Sequence, residues 1–167
     1  MLLETQVLKT ICRGIRTTAQ FVSKIFYQDG KTPHLFTSDP LDDYGWDDKK
    51  YNFHAKGVAV DLSDDGNSYH IKSSVNMKSI VDVKFSKASP GFMAGKNGTS
   101  TFGEDPANPW GRMSHTFWPR CKVEGHILTQ AGEVNVSGRG IYIHALQGMK
   151  PHHAGTRGHC ITVVGTY

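Results

Sequence analysis

The feature that most limits what this chain can become is the run from Trp118 to His153, where two strand-like segments flank a turn of hairpin length. From Cys121 to Thr129, the residues Cys121, Val123, Gly125 and Ile127 alternate with Lys122, Glu124 and His126. A period of two predicts a half-buried strand. Gln130-Ala131-Gly132-Glu133 then supplies a tight loop with a glycine free to take positive φ. The second segment, Val134 to Leu146, starts by alternating and becomes apolar on both sides around Ile141, Tyr142 and Ile143. Gly138-Arg139-Gly140 lies where the pattern changes. It predicts a bulge or sharp bend that turns Ile141 and Ile143 inward. A long, bent hairpin is a natural unit of a small antiparallel barrel.

The rest of the chain extends that pattern. Tyr51 to Leu62 and Ser68 to Val75 predict a hairpin around Asp64-Asp65-Gly66-Asn67, with Phe53, Ala55, Gly57 and Ala59 on one face and Tyr69, Ile71, Ser73 and Val75 on another. From Ser79 to Lys87, Val81, Val83 and Phe85 alternate with Asp82, Lys84 and Ser86, which completes a meander. Upstream, Thr17 opens a strand-like run that ends at Gln28-Asp29-Gly30-Lys31, and Thr32 to Ser38 follows as a short strand. Asp39 to Asp48 is an acidic loop, and Ser89 to Arg112 is a long connection rich in glycine and proline. There are no repeats and no long helical pattern. The fold class is therefore all-β, an antiparallel barrel or sandwich in which the bent strands favour a barrel, with one domain over residues 17–154. Residues 1–16 stay open between a basic amphipathic helix on a membrane surface and a strand or misplaced start. Residues 155–167 form a divergent tail with a short apolar run, Ile161 to Val164.

Composition narrows the function classes. The net charge of +4 is spread through the chain, which gives no basic patch for nucleic acid. The three cysteines, Cys12, Cys121 and Cys160, are too far apart for a disulfide framework and favour a reducing, cytoplasmic compartment. No run reaches the roughly 18 apolar residues of a membrane span.

The motifs that would carry chemistry fail on spacing. Gly91-Phe92-Met93-Ala94-Gly95-Lys96 has three residues between its glycines where a phosphate loop needs about four, and Asn97 follows the lysine. Asp39, Asp42, Asp43, Asp47 and Asp48 lack the ligand order of a calcium loop. His152 and His153 point to opposite faces of an extended segment, and with His159 and Cys160 they have no fourth ligand at a familiar interval. No Gly-x-Ser-x-Gly elbow is present. No metal, cofactor or catalytic residue is assigned. Only His144 and Glu124 could seed an isomerase or hydratase in a barrel of this kind.

Several strings carry a family resemblance. Phe117-Trp118-Pro119-Arg120-Cys121-Lys122-Val123-Glu124-Gly125, Gly138-Arg139-Gly140 and His144-Ala145-Leu146-Gln147-Gly148-Met149-Lys150-Pro151-His152-His153 resemble the fungal survival-factor family. Gly14 to Phe21, Thr32 to Pro40 and Gly95 to Gly103 are similar to it as well. The resemblance covers about residues 14–154. Its members have more chain on both sides, including a second barrel, so the expectation is an N-terminal lipocalin-like barrel, of the calycin type, left open.

The resemblance implies a non-enzymatic role. The expected ligand is a lipid such as ceramide, moved between endoplasmic reticulum and Golgi with peripheral membrane contact and linked to survival under oxidative stress. Candidate lining residues are Val81, Val83, Phe85, Ile141 and Ile143. Trp118, Arg120, His144, Gln147, His152 and His153 are the motif and mouth candidates. The alternatives are the small barrel enzyme and a solid structural or interaction domain. Cavity volume separates the last of these from a carrier.

Overall fold

The computed structural model describes residues 2–12 and 16–147, with side chains placed over residues 19–146. Among the described residues the strands run in the order β1 (Leu2–Cys12), β2 (Arg16–Phe26), β3 (Leu35–Leu41), β4 (Gly45–Trp46), β5 (Phe53–Ala55), β6 (Val58–Leu62), β7 (Ser68–Ser73), β8 (Ser79–Lys87), β9 (Phe92–Met93), β10 (Ser100–Phe102), β11 (Gly111–Thr129) and β12 (Gly132–Gln147). β1, β2 and β3 form one sheet in that order. The larger sheet runs β10-β11-β8-β7-β6-β5-β4, with β9 and β12 also paired to β11. β1–β2, β2–β3, β4–β5, β5–β6, β6–β7, β7–β8, β8–β11 and β10–β11 all pair antiparallel. The larger sheet ends at β10 and β4, and no pairing among the described residues joins these ends. This is the open, lipocalin-like all-β fold that the strand pattern and the family strings predict.

Registers follow the alternation. Val83 on β8 lies opposite Ile71 on β7 and Gly125 on β11. Gly125 has φ +139°, and a Cβ there would lie 2.1 Å from the Asp82 carbonyl oxygen. Only glycine lets β11 come this close to β8.

Some sequence expectations shift, and the open choice over the first residues is decided for Leu2–Cys12 in favour of the strand. Tyr51 to Leu62 is not one strand, because Gly57 at φ +78° turns the chain between β5 and β6. The turn moves the register by one residue, so Val58 and Val60 are buried with Phe53 and Ala59 is not. The segment Leu2–Cys12 is a strand and not an amphipathic helix, paired with β2 from Leu2↔Phe26 to Cys12↔Arg16. Leu3, Val7, Ile11 and Ile15 are spaced by four, which fits a period of two as well as a helical one.

The chain divides into two compact units. The first, Met1–Phe92 and Phe117–Tyr142, holds one buried cluster drawn from both sheets. Ala19, Phe21 and Ile25 of β2 and Leu41 of β3 join Phe53, Val60, Ile71, Val81, Val83, Val123 and Ile127. The second unit, Met93–Thr116 and Ile143–Tyr167, has β10 paired to the start of β11 and a Phe102–Trp110 contact at 5.9 Å in its described part.

Candidate functional site

The inner face of β7, β8 and β11 is the candidate site. Its centre is apolar: Val81 and Val83 are 1% and 0% exposed, and Ile71, Val123 and Ile127 are buried beside them. Strand alternation puts these side chains on one face, while Lys72, Lys84 and Lys122 lie on exposed positions.

An aromatic cluster flanks the valines. Tyr69 and Tyr142 stack with centroids 4.2 Å apart, and Trp118 lies 5.1 Å from each of them. Phe85 is 6.5 Å from Tyr142. Burial, then the neighbouring Tyr69, pushes the Tyr142 phenol far up, and burial raises Tyr69. Both are therefore neutral at physiological pH. Lys87 Nζ sits 4.2 Å from the Trp118 ring centroid and donates to the Gly66 carbonyl at 2.8 Å, so the cluster carries one cation at its edge. Gly140 makes room for this packing. A Cβ there would lie 2.6 Å from Val123 Cγ2 and 3.1 Å from Phe85 Cε1.

The structure brings together only some of the residues picked from sequence. Val81 and Val83 are in the core, Phe85 packs against it, and Trp118 is 4% exposed within the aromatic cluster. Ile141 and Ile143 are a correction: they are 37% and 47% exposed, and Tyr142 between them turns to the core instead. The strand does not change register at Gly138-Arg139-Gly140. β12 is one unbroken strand, and Val134, Val136, Gly140 and Tyr142 hold the less exposed positions throughout. Gly138 and Gly140 leave the inner pattern without side chains, which imitates a switch of face. Arg120 is exposed and His144 half-buried, with burial lowering the His144 pKa. Gln147 ends β12, and His152 and His153 lie outside the described residues. Glu124 is exposed and pairs with Lys122 at 2.7 Å. Tyr69, Tyr142 and Lys87 were not singled out as site residues by sequence. An even-numbered reading of β12 would have found Tyr142.

Among the described residues no three His, Cys, Asp or Glu side chains are grouped to hold a metal ion. No helix there is long and apolar enough to cross a membrane.

An antiparallel all-β fold whose larger sheet has an apolar inner face and an aromatic edge is consistent with a lipocalin-like protein. More narrowly, the chain belongs to the Svf1 family, whose model matches residues 2–161. This agrees with the survival-factor resemblance of its strings. It is 52% identical to "Ceramide-binding protein svf1" of Aspergillus fumigatus over 91% of its own length and 38% of that protein. It is 51% identical to "Ceramide-binding protein svf-1" of Neurospora crassa, covering 91% of the chain and 40% of the relative. The Schizosaccharomyces pombe protein of the same name is 43% identical over 82% of the chain and 36% of the relative. The chain thus spans about two fifths of the length of these relatives. No solved structure matches the chain.

Proposed function

We propose that this chain binds a ceramide-type lipid on the inner face of its larger sheet and catalyses no reaction. The observation that carries this reading is the 52% identity, over 91% of the chain, to a protein named for ceramide binding. The physical chemistry of the face supports it. A buried CH₂ contributes about 0.8 kcal/mol, so roughly ten methylenes against Val81, Val83 and Phe85 reach the scale of micromolar binding before ordering costs. The Tyr69–Tyr142 pair and Trp118 add aromatic walls with polar tips, as lipid and small-molecule sites commonly require.

The wider role proposed is transfer of that lipid between endoplasmic reticulum and Golgi membranes through peripheral contact, with survival under oxidative stress as its consequence. Native mass spectrometry of the chain after expression in a ceramide-producing host tests the binding step. Folded protein carrying a ceramide mass supports the proposal, and folded protein free of lipid refutes it.

A further inference from the structure

Buried hydroxyl side chains interrupt the apolar interior of the first unit. Ser23 on β2, Thr37 on β3, Ser73 at the end of β7 and Ser79 at the start of β8 are 0%, 6%, 2% and 1% exposed. Ser23 and Thr37 are direct partners across the β2–β3 ladder. Ser23 Oγ and Ser79 Oγ lie 2.9 Å apart and link the two sheets. Ser73 lies opposite Val81, two residues along from Ser79 on the same face of β8. Register and hydrogen bonding thus place the four in one seam. The β7–β8 turn lies at this end, tied to β3 by Asn76 Nδ2 donating to the Asp39 carboxylate at 2.8 and 3.0 Å.

Ser23 and Ser79 satisfy each other. Thr37 Oγ1 and Ser73 Oγ are buried and have no hydrogen-bond partner among the described residues. Buried hydroxyls are nearly always bonded, because the desolvation cost is otherwise uncompensated. Valine and alanine would fill the same strand positions without that cost. A further pattern bears on the ligand. Among the described residues the buried polar side chains are Ser23, Thr37, Ser68, Ser73, Ser79 and Thr129, and none of these carries a charge.

We infer that this seam receives the polar head of the bound lipid, with Thr37 and Ser73 making hydrogen bonds to it. The inference rests on the lipid-binding reading above and deepens it by naming the head chemistry. A hydroxyl both donates and accepts, so the seam matches a head that offers amide and hydroxyl groups. With no cation in it, the seam selects an uncharged head over a phosphate-bearing one, whose desolvation it could not offset.

The test uses the full chain, wild type and with Thr37→Val plus Ser73→Ala. Binding is measured for a dye-labelled ceramide and for an alkane of matched length with the same dye. The double variant is expected to bind ceramide about tenfold more weakly and the alkane within about twofold of wild type. Its melting temperature is expected to hold or rise, since two unsatisfied hydroxyls are gone, whereas a purely structural role lowers it. Equal weakening for both probes, or undiminished ceramide binding in the variant, overturns the seam as head site while leaving lipid binding in place. A folded wild-type chain that binds neither probe overturns both.

Discussion

The sharpest consequence of the β12 register concerns two glycines two residues apart. A Cβ added at Gly138 meets no heavy atom within 4 Å, whereas one at Gly140 lies 2.6 Å from Val123 Cγ2 and 3.1 Å from Phe85 Cε1. Neither glycine has positive φ, so alanine suits the backbone at both positions. Val123 is only 5% exposed and, being β-branched, has little rotamer freedom with which to yield. Gly140→Ala therefore overpacks the core and costs about 1–3 kcal/mol. Gly138→Ala narrows the unfolded ensemble without a clash and contributes about 0.4–1 kcal/mol of stability. The two variants should differ by roughly 1.4–4 kcal/mol with opposite signs. Urea unfolding followed by circular dichroism reads this directly. With an m-value of about 2 kcal/mol/M the midpoints separate by about 0.7–2 M. Equal midpoints, or Gly138→Ala as the weaker protein, would mean that the strand changes face at Gly138-Arg139-Gly140 and that Ile141 and Ile143 point inward after all.

Other consequences are open to simpler measurements. Cys121 is 1% exposed and burial raises its thiol pKa, so in a chain with Cys12 and Cys160 replaced by serine it should react with Ellman's reagent at least about a hundredfold more slowly folded than in urea. A native rate near the unfolded one would contradict its place in the core. The Thr32 hydroxyl, followed by the Thr32 and Lys31 N–H groups, holds the Asp29 carboxyl at about 2 against 3.8. A depressed acid contributes stability above its unfolded pKa, so the turn should keep its hydrogen bonds down to about pH 4 and lose them as pH falls toward 2. A carboxyl NMR titration with its midpoint at the ordinary value would refute this. Lys87→Gln removes the cation over Trp118 and should cost about 1 kcal/mol, read from the urea midpoint. An unchanged midpoint would show that the contact is energetically idle.

Strand existence was legible where one face is wet and the other dry, and this explains both the successes and the misses. Ser79–Lys87 emerged with its bounds intact because Val81 and Val83 alternate with charged or polar neighbours. β12 misled because its inner positions include Gly138 and Gly140, while exposed Ile141 and Ile143 supplied apolar residues on the wrong side. Hydrophobicity alone cannot rank an exposed isoleucine against a half-buried tyrosine. The Lys56-Gly57 turn was hidden inside an apparently continuous alternation, since a glycine reads as a small inward residue until its φ is known. The candidate site divides in the same way. Val81, Val83 and Phe85 were accessible through local periodicity. The Tyr69–Tyr142 stack and the Ser23–Ser79 bond join residues 73 and 56 positions apart, which no local pattern reports.

The proposed place of a ceramide acyl chain, the inner face of the larger sheet, is tested by an isotope-edited NMR experiment on the methyl-labelled chain with bound ceramide. Intermolecular NOEs are expected from the acyl methylenes to the methyl groups of Val81 and Val83. NOEs confined to the exposed methyls of Ile141 and Ile143, with none to the two valines, would contradict it.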